Sequence, residues 1–453
     1  MPLNRFAKTR LDAWFKHQRR KPLILRGARQ TGKSTSIRQL GQSAKFFIEI
    51  NLENHLDLEL VKTCHSATDL CERLQQKYGL SNLPPDTLLF LDEIQEHPPA
   101  LTWLRFFHEN HPEIAVVAAG SLMEVRLRDS HLPFPVGRVE FMRLEPLSFF
   151  EFLEATNGGR IASDLRGEFS NPNGIPTGLH QLATERLRHF LLVGGMPEAV
   201  SVWAETENFN EVSKVHHDLV QAYFEDLLKY GLRTGTSALR SVLLAAPNLY
   251  GSRFKNRNLV SGLKDRALAE AIELLELAMV IHRAVPTYSQ QLPLIPRAKA
   301  AHKLIPLDVG LALSQLGVRA EQLLDLPVES LLNGRIAEMF VGLQLLGTST
   351  NGPRNLYFWT REYKGGRAAE VDYLVSTAEG ILPVEVKAGK TGSLKSLHQY
   401  LAASGGSFGY RLASGAGGVE DLKVKITQGR TILYRLKSLP LYMAELIPVS
   451  PTG

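Results

Sequence analysis

Gly27-Ala28-Arg29-Gln30-Thr31-Gly32-Lys33-Ser34 is the stretch whose reading decides the fold of this chain. It matches the pattern GxxxxGK[ST] in full. The pattern has a physical logic. Its glycines let the backbone curl so that peptide N–H groups face phosphate oxygens. Lys33 supplies positive charge to the β- and γ-phosphates, and the Ser34 hydroxyl is a ligand for Mg²⁺. The apolar run Pro22-Leu23-Ile24-Leu25 precedes the loop, and a helix is predicted to begin at Lys33. That strand–loop–helix setting makes a chance glycine-rich turn a poor account of the match. Gly27 through Ser34, together with Thr35, therefore form the expected cradle for ATP with Mg²⁺.

Outward from the loop, four more apolar runs alternate with helical stretches: Phe46–Asn51, Thr87–Leu91, Ile114–Ala119 and Arg138–Leu144. Near-continuous apolar runs are the mark of strands buried on both faces of a parallel sheet, and alternation with helices predicts an α/β domain. The run Leu88-Leu89-Phe90-Leu91 ends in Asp92-Glu93. Asp92 is expected to hold Mg²⁺ through water, and Glu93 to orient or deprotonate the attacking water. The plainer alternative for Glu93 is that it caps the next helix. The run at 114–119 ends in Gly120-Ser121. If it lies between the other two motif strands, Ser121 can sense the γ-phosphate or the water. Arg126, Arg128 and Arg138 are candidates for a charge-stabilising arginine, on the same subunit's nucleotide or on a neighbour's. A homo-oligomer is the setting the second case requires.

A second constellation lies near the C-terminus. Ala369–Val375 and Ile381–Val386 read as neighbouring strands. The two-residue period puts Glu370 and Asp372 on one face of the first, and Glu385 and Lys387 on one face of the second. Asp372, Glu385 and Lys387 then make the D…ExK arrangement of PD-(D/E)xK nucleases. Two carboxylates there bind a hard divalent cation, and the lysine assists the attacking water or the developing charge. Upstream, Glu338 is the only acid in the apolar helical run 336–343, where an isolated carboxylate needs a reason. Glu338, Asp372 and Glu385 are the expected ligands of a second metal. Gln399, on the following helix, could complete the site. The competing reading is a hairpin with alternating charge, in which Asp372 and Lys387 simply pair.

Between these regions the texture changes. Residues 157–178 are rich in Gly, Asn, Ser and Pro and read as a loop. Helices dominate from about 181 to 350. Asn258 through Ala278 resembles a helix-turn-helix unit, followed by a ribbon at about 280–306. A winged helix would offer Arg253, Lys255, Arg257, Lys264 and Arg266 to phosphates. A packing or oligomerisation domain is the alternative.

Composition sets the frame. With 453 residues, 44% hydrophobic and 22% charged, the chain is an ordinary globular composition too long for one core. No apolar run approaches the ~18 residues needed to span a bilayer, and no secretion signal is evident. Cys64 and Cys71 fit no zinc knuckle or redox pair. A cytoplasmic setting without a membrane is the expectation. The net charge of +6 is concentrated in residues 1–40, which hold eleven Lys or Arg against Asp12 alone. Such a segment attracts phosphates, whether of nucleotide or of nucleic acid, or it is a solvated helix face.

At this point the chain resembles a known family, the prokaryotic AAA-type ATP-binding proteins that carry a C-terminal domain of unknown function 4143. The resemblance rests on GARQTGKST, LLFLDEIQ, AAGSLMEVRL, VGRVEFMRLEPLSFFEFL and LLVGGMPEAV. HKLIPLDVGLAL, GRIAEMFVGLQLL, AEVDYLV and PVEVKAG extend it almost to the end. It implies a P-loop AAA-type parallel sheet (1–155), a flexible insert with a helical lid (156–232), a winged-helix-like segment (233–330) and a nuclease-like α/β domain (331–453). It assigns Lys33, Ser34, Asp92 and Glu93 to the nucleotide and suggests importance for Arg138. Two functions follow as expectations. One is an ATPase coupled to a nucleic-acid-directed nuclease domain, DNA more than RNA. The other is an ATP-dependent switch or remodelling module whose C-terminal fold only binds.

Overall fold

The computed structural model describes residues 3, 5–121, 123, 125, 135, 137–230, 236–254, 263–297, 300–319, 334–348, 356–362, 368–377, 380–389, 392–426 and 430–449. Arg126, Arg128, Lys255, Arg257 and most of the first half of the expected helix-turn-helix lie outside these residues. The chain divides into two compact units. One comprises Met1–Pro146 with Leu277–Val280, the other Leu147–Glu276 with Ile281–Gly453.

The first unit is built on β1 (Leu23–Arg26), β2 (Phe46–Asn51), β3 (Thr87–Asp92), β4 (Ala115–Gly120) and β5 (Glu140–Arg143). Their order is β2-β3-β4-β1-β5, with every pairing parallel. All six residues of β3 and of β4 are buried, which is why those strands read as unbroken apolar runs. One face carries Leu89, Leu91, Val116 and Ala118 into a core with the helices Ala67–Tyr78 and Ala100–Asn110. The other carries Leu88, Phe90, Val117 and Ala119 against α1 (Phe6–Lys16) and α2 (Lys33–Gly41). The two-residue side-chain period assigns the faces.

The second unit begins with helices. Leu147 N donates to Gly195 O and Phe149 N to the Gln344 side chain, so the run 147–155 belongs here rather than with the first sheet. The expected loop at 157–178 contains the helix Gly159–Glu168, whose Ala162 and Leu165 are buried. Three-residue spacing of two apolar side chains outweighs the local Gly and Asn content. A nine-stranded mixed sheet follows, ordered β13-β14-β12-β11-β10-β9-β7-β8-β6. Its strands are β6 (Arg253–Phe254), β7 (Ile281–Thr287), β8 (His302–Pro306), β9 (Leu356–Glu362), β10 (Ala368–Thr377), β11 (Gly380–Val386), β12 (Phe408–Ala413), β13 (Gly418–Lys425) and β14 (Thr431–Pro440). The ribbon read as a wing is therefore not a separate one. Its strands β7 and β8 continue the C-terminal sheet, because β7 pairs in parallel with β9 through Ala284–Leu356 and Val285–Tyr357.

Two helices frame the part of this sheet that matters for function. The helix after β11, Lys395–Ser404, packs Leu397, Tyr400 and Leu401 against Trp359, Val371 and Leu374. The helix Gly334–Thr348 carries Glu338 and approaches β10 closely at Gly342, where an added Cβ would meet the Tyr373 hydroxyl at 2.6 Å. Pairing of β10 with β9 shifts register between Val371 and Leu374. The irregularity keeps both of those side chains in the apolar core. It leaves Glu370, Asp372 and Tyr373 to reach partners on β8 and on the helix carrying Glu338. Among the described residues, no helix is long and apolar enough to cross a membrane.

Candidate nucleotide site and a second carboxylate centre

The phosphate loop leaves the C-terminal end of β1 and feeds α2 at Lys33. Gln30 (φ 61°) and Gly32 (φ 91°) both turn left-handed to make the curl. At Gly27 any side chain would strike the Leu144 carbonyl at 2.5 Å. Thr31 Oγ1 donates to Ala28 O at 3.0 Å and closes the loop on itself. Lys33 Nζ lies 2.9 Å from Gly27 O and 2.8 Å from Ala28 O, centred in the curl. A fixed positive charge and the N-terminus of a helix thus address one point, which is what an anionic phosphate requires. Thr35 is exposed in the first turn of α2, and Arg29 lies 4.0 Å from Glu53.

β4 lies between β1 and β3, so the chain brings three strand ends together at one edge. Asp92 is 3% exposed. Burial pushes its carboxyl up, and a hydrogen bond from the Ser34 hydroxyl acts in the opposite direction. Two oxygen ligands of the type Mg²⁺ prefers thus touch each other, so Ser34 and Asp92 fit that ion. Glu93 has left-handed backbone (φ 51°), uncommon for a residue with a Cβ. Gln95 Nε2 donates to its carboxylate at 2.5 Å. Ser121 is buried and directly follows Gly120, which pairs with Arg26 at the root of the phosphate loop.

Two residues of this site were not read from the sequence. Gln95 holds Glu93 and packs so tightly on Gly120 that a side chain there would overlap its amide. Arg5 is buried and donates through Nη1 to Thr31 O at 3.0 Å and through Nη2 to Glu145 O at 2.5 Å. At least this one of the eleven N-terminal basic residues holds the loop from behind. Neither has a motif around it, and only the tertiary contact reveals the role.

Of the two settings expected for Arg138, the fold disfavours its own subunit's nucleotide. It precedes β5, whose Glu140 pairs with Leu23 at the start of β1, whereas the phosphate loop leaves the end of β1. In a parallel sheet these are opposite edges, separated by a four-residue strand of about 3.3 Å per residue. Its guanidinium instead meets Glu109 at 2.9 Å on the surface. Arg138 does not face its own subunit's loop.

The second unit gathers a different centre. Lys303 of β8 is 1% exposed. Its Nζ lies 2.7 Å from Glu338, 2.7 Å from Glu370 and 3.4 Å from Asp372. Phe358 and Tyr373 flank it at 5.2 and 5.7 Å. Burial alone would lower the lysine's proton affinity. The carboxylates of Asp372, Glu338 and Glu370 overcome that and raise it well above the ordinary value. Burial pushes Glu338 up to about 7, with Lys303 opposing. Asp372 also accepts Val386 N–H at 2.8 Å, Glu370 pairs with Arg253 at 3.1 Å, and Tyr373 donates to Glu338 O at 2.7 Å.

The expected metal set was Glu338, Asp372 and Glu385. The three carboxylates that come within 4.8 Å of one another are Glu338, Glu370 and Asp372. Glu385 turns instead to Lys387, at 2.6 Å, and burial beside Asp372 pushes it up to about 8. Lys387 is thus spent on Glu385 and not on Asp372. Gln399 is half-buried on the helix after β11. Arg253, read as a phosphate contact, is committed to Glu370. With Lys303 seated among the three carboxylates, this donor set does not fit a divalent ion. The sequence singled out every acid here but missed the lysine, whose only signal was a charge inside the strand run His302–Pro306.

Comparison with known proteins finds matches along most of the chain. Residues 19–153 match the model of an AAA domain. Residues 184–322 and 333–420 match two domains of unknown function, DUF8612 and DUF4143. The chain is similar to an uncharacterised protein of Methanocaldococcus jannaschii, 23% identical over 412 residues, covering 88% of this chain and 82% of that protein. Among solved structures it is similar to a Walker-type ATPase of Pyrococcus abyssi, with a TM-score of 0.43 at 16% identity over 69% of this chain and 96% of that one. It is also similar to the ORC2 protein of Aeropyrum pernix, with a TM-score of 0.34 at 12% identity over 71% and 95%. The chain carries an AAA domain of the P-loop ATPase type and a DUF4143 domain.

Proposed function

We propose that this protein binds ATP with Mg²⁺, hydrolyses it, and uses the cycle to control a nucleic-acid-directed C-terminal domain. One observation carries the reading: Lys33, Ser34, Asp92, Glu93 and Ser121 converge on one edge of a parallel sheet whose middle strand is β4. Each has a task. Lys33 and the first turn of α2 draw the β- and γ-phosphates into the loop. Ser34 and Asp92 would hold Mg²⁺, which neutralises phosphate charge when bound. Glu93, fixed by Gln95, accepts a proton from the attacking water or orients it. Ser121 contributes a hydroxyl beside the same point. Nucleotide binding and phosphate release, measured on wild type and Lys33→Ala with and without Mg²⁺, test the proposal. Wild type is expected to bind and turn over, and Lys33→Ala to lose both. A wild-type protein that binds no ATP overturns it.

The nucleic-acid direction of the second unit rests on its architecture. A helix bearing Glu338 is followed by three antiparallel strands, a helix, and a strand parallel to the third. That succession supports a PD-(D/E)xK-like reading of the unit, in which Asp372, Glu385 and Lys387 would supply the motif. Fluorescence anisotropy of labelled DNA, with ATP and without, tests this part. Nucleotide-dependent affinity is expected; equal failure to bind DNA and RNA in every nucleotide state sinks it.

A further inference from the structure

We propose that the cation of the Glu338–Glu370–Asp372 centre is Lys303 itself, so that this centre takes no divalent metal. The inference deepens the nuclease-like reading of this unit and is independent of the nucleotide site. The carboxylate oxygens are spaced as a metal would have them, within 4.8 Å of one another. The space between them is filled. Lys303 Nζ stands 2.7 Å from Glu338 Oε2 and 2.7 Å from Glu370 Oε1, with Asp372 Oδ1 at 3.4 Å. Mg²⁺ or Ca²⁺ sits about 2.0–2.6 Å from such oxygens. An ion on the same three oxygens would overlap the ammonium nitrogen or lie against its charge.

The surroundings hold the lysine where it is. Its strand is flanked on both sides, Lys303 pairing with Ala284 of β7 and with Arg253 of β6. The ammonium lies over the faces of Phe358 and Tyr373, which favour a cation there. Two of the outer oxygens are also committed. Asp372 Oδ2 accepts Val386 N–H, and Glu370 Oε2 accepts from Arg253 Nη1. Three carboxylates thus meet two internal cations, and the fourth, Glu385, meets Lys387 through Oε1 while its buried Oε2 has no hydrogen-bond partner. A divalent ion would have to expel a fully buried side chain from between strands and aromatic rings. The same chemistry that makes a metal nuclease recognisable in the sequence is here closed by an internal salt bridge. At this centre the three carboxylates already have their cation.

Mn²⁺ titration of the full-length, nucleotide-free protein, followed by loss of the free-ion electron paramagnetic resonance signal, tests this. The wild-type isotherm is expected to be unchanged by Asp372→Asn. Lys303→Met, which keeps length and removes charge, is expected to gain a site at least ten-fold tighter, lost again in Lys303→Met with Asp372→Asn. Where circular dichroism shows that Lys303→Met does not fold, the wild-type comparison decides alone. A stoichiometric wild-type Mn²⁺ site that disappears in Asp372→Asn overturns the proposal. Because the readout is ion binding, its failure is distinct from a failure to bind DNA.

Discussion

At the scale of the residue, the two centres solve opposite problems with similar atoms. Asp92 is a buried carboxylate whose neighbours are a hydroxyl and a peptide N–H. Asp372 is a buried carboxylate whose neighbours include an ammonium and a peptide N–H. The first arrangement welcomes a cation, and the second already has one. Breaking a buried ionic network by removing one partner typically costs about 3–5 kcal/mol, because the remaining charges are left without compensation. Lys303→Ala is expected to lower unfolding stability by that order, read by urea denaturation; a loss under about 1 kcal/mol would show the cluster to be solvated instead. Gln95→Ala is expected to lower turnover several-fold while leaving ATP affinity unchanged, since it touches Glu93 and not the loop. Equal effects on affinity and turnover would place Gln95 in the fold and not in the hydrolytic step.

At the scale of the element, the central strands β3 and β4 were legible because they are buried on both faces, and β2 because its apolar run is nearly continuous. The runs at 46–51, 87–91 and 114–119 coincide with β2, β3 and β4 to within a residue at each end. Glu338, Asp372, Glu385 and Lys387 were also legible, because strand alternation and an acid in an apolar helix are local signals. Lys303 and Gln95 were not, because their roles depend on partners 35 and 2 residues away that only the fold aligns. The β-ribbon was read correctly as extended chain, but its place in the large sheet depends on pairing with β9, some seventy positions downstream. No local pattern carries that.

The C-terminal segment Leu441–Val449 supplies an element-scale prediction. Its Glu445 is buried, and Phe150 N–H points at it from the start of the helix Phe149–Ala155 at 3.4 Å. Burial pushes this carboxyl up to about 8. An unfolded glutamate titrates near about 4.3. Stabilisation from this group is therefore full below that value and is lost as pH rises through about 8. Glu445→Gln is expected to melt higher than wild type at about pH 9 and to gain least at about pH 5, read by thermal scans across that range. A variant whose melting shift is the same at both ends would show that the carboxyl titrates normally.

At the scale of the whole molecule, the location of Arg138 bears on assembly. It sits at the sheet edge opposite the loop, beside Glu109. If it acts on phosphate at all, it acts on a neighbouring subunit's. Mixing Arg138→Ala protein with Lys33→Ala protein is then expected to restore part of the turnover that each lacks, provided mass measurement shows an ATP-dependent oligomer. A monomer at every nucleotide state, with full activity in Arg138→Ala, removes the arginine from the mechanism. Coupling between the halves is a separate matter, and it is read by whether DNA affinity follows nucleotide state.

The central claim is that the edge formed by Lys33, Ser34, Asp92, Glu93 and Ser121 hydrolyses ATP with Glu93 acting on the water. Paired measurement of ATP affinity and single-turnover hydrolysis in Glu93→Gln tests it most directly. Affinity within about two-fold of wild type, with hydrolysis slower by about 10²–10⁴, is the predicted result. Hydrolysis at the wild-type rate in Glu93→Gln would contradict it.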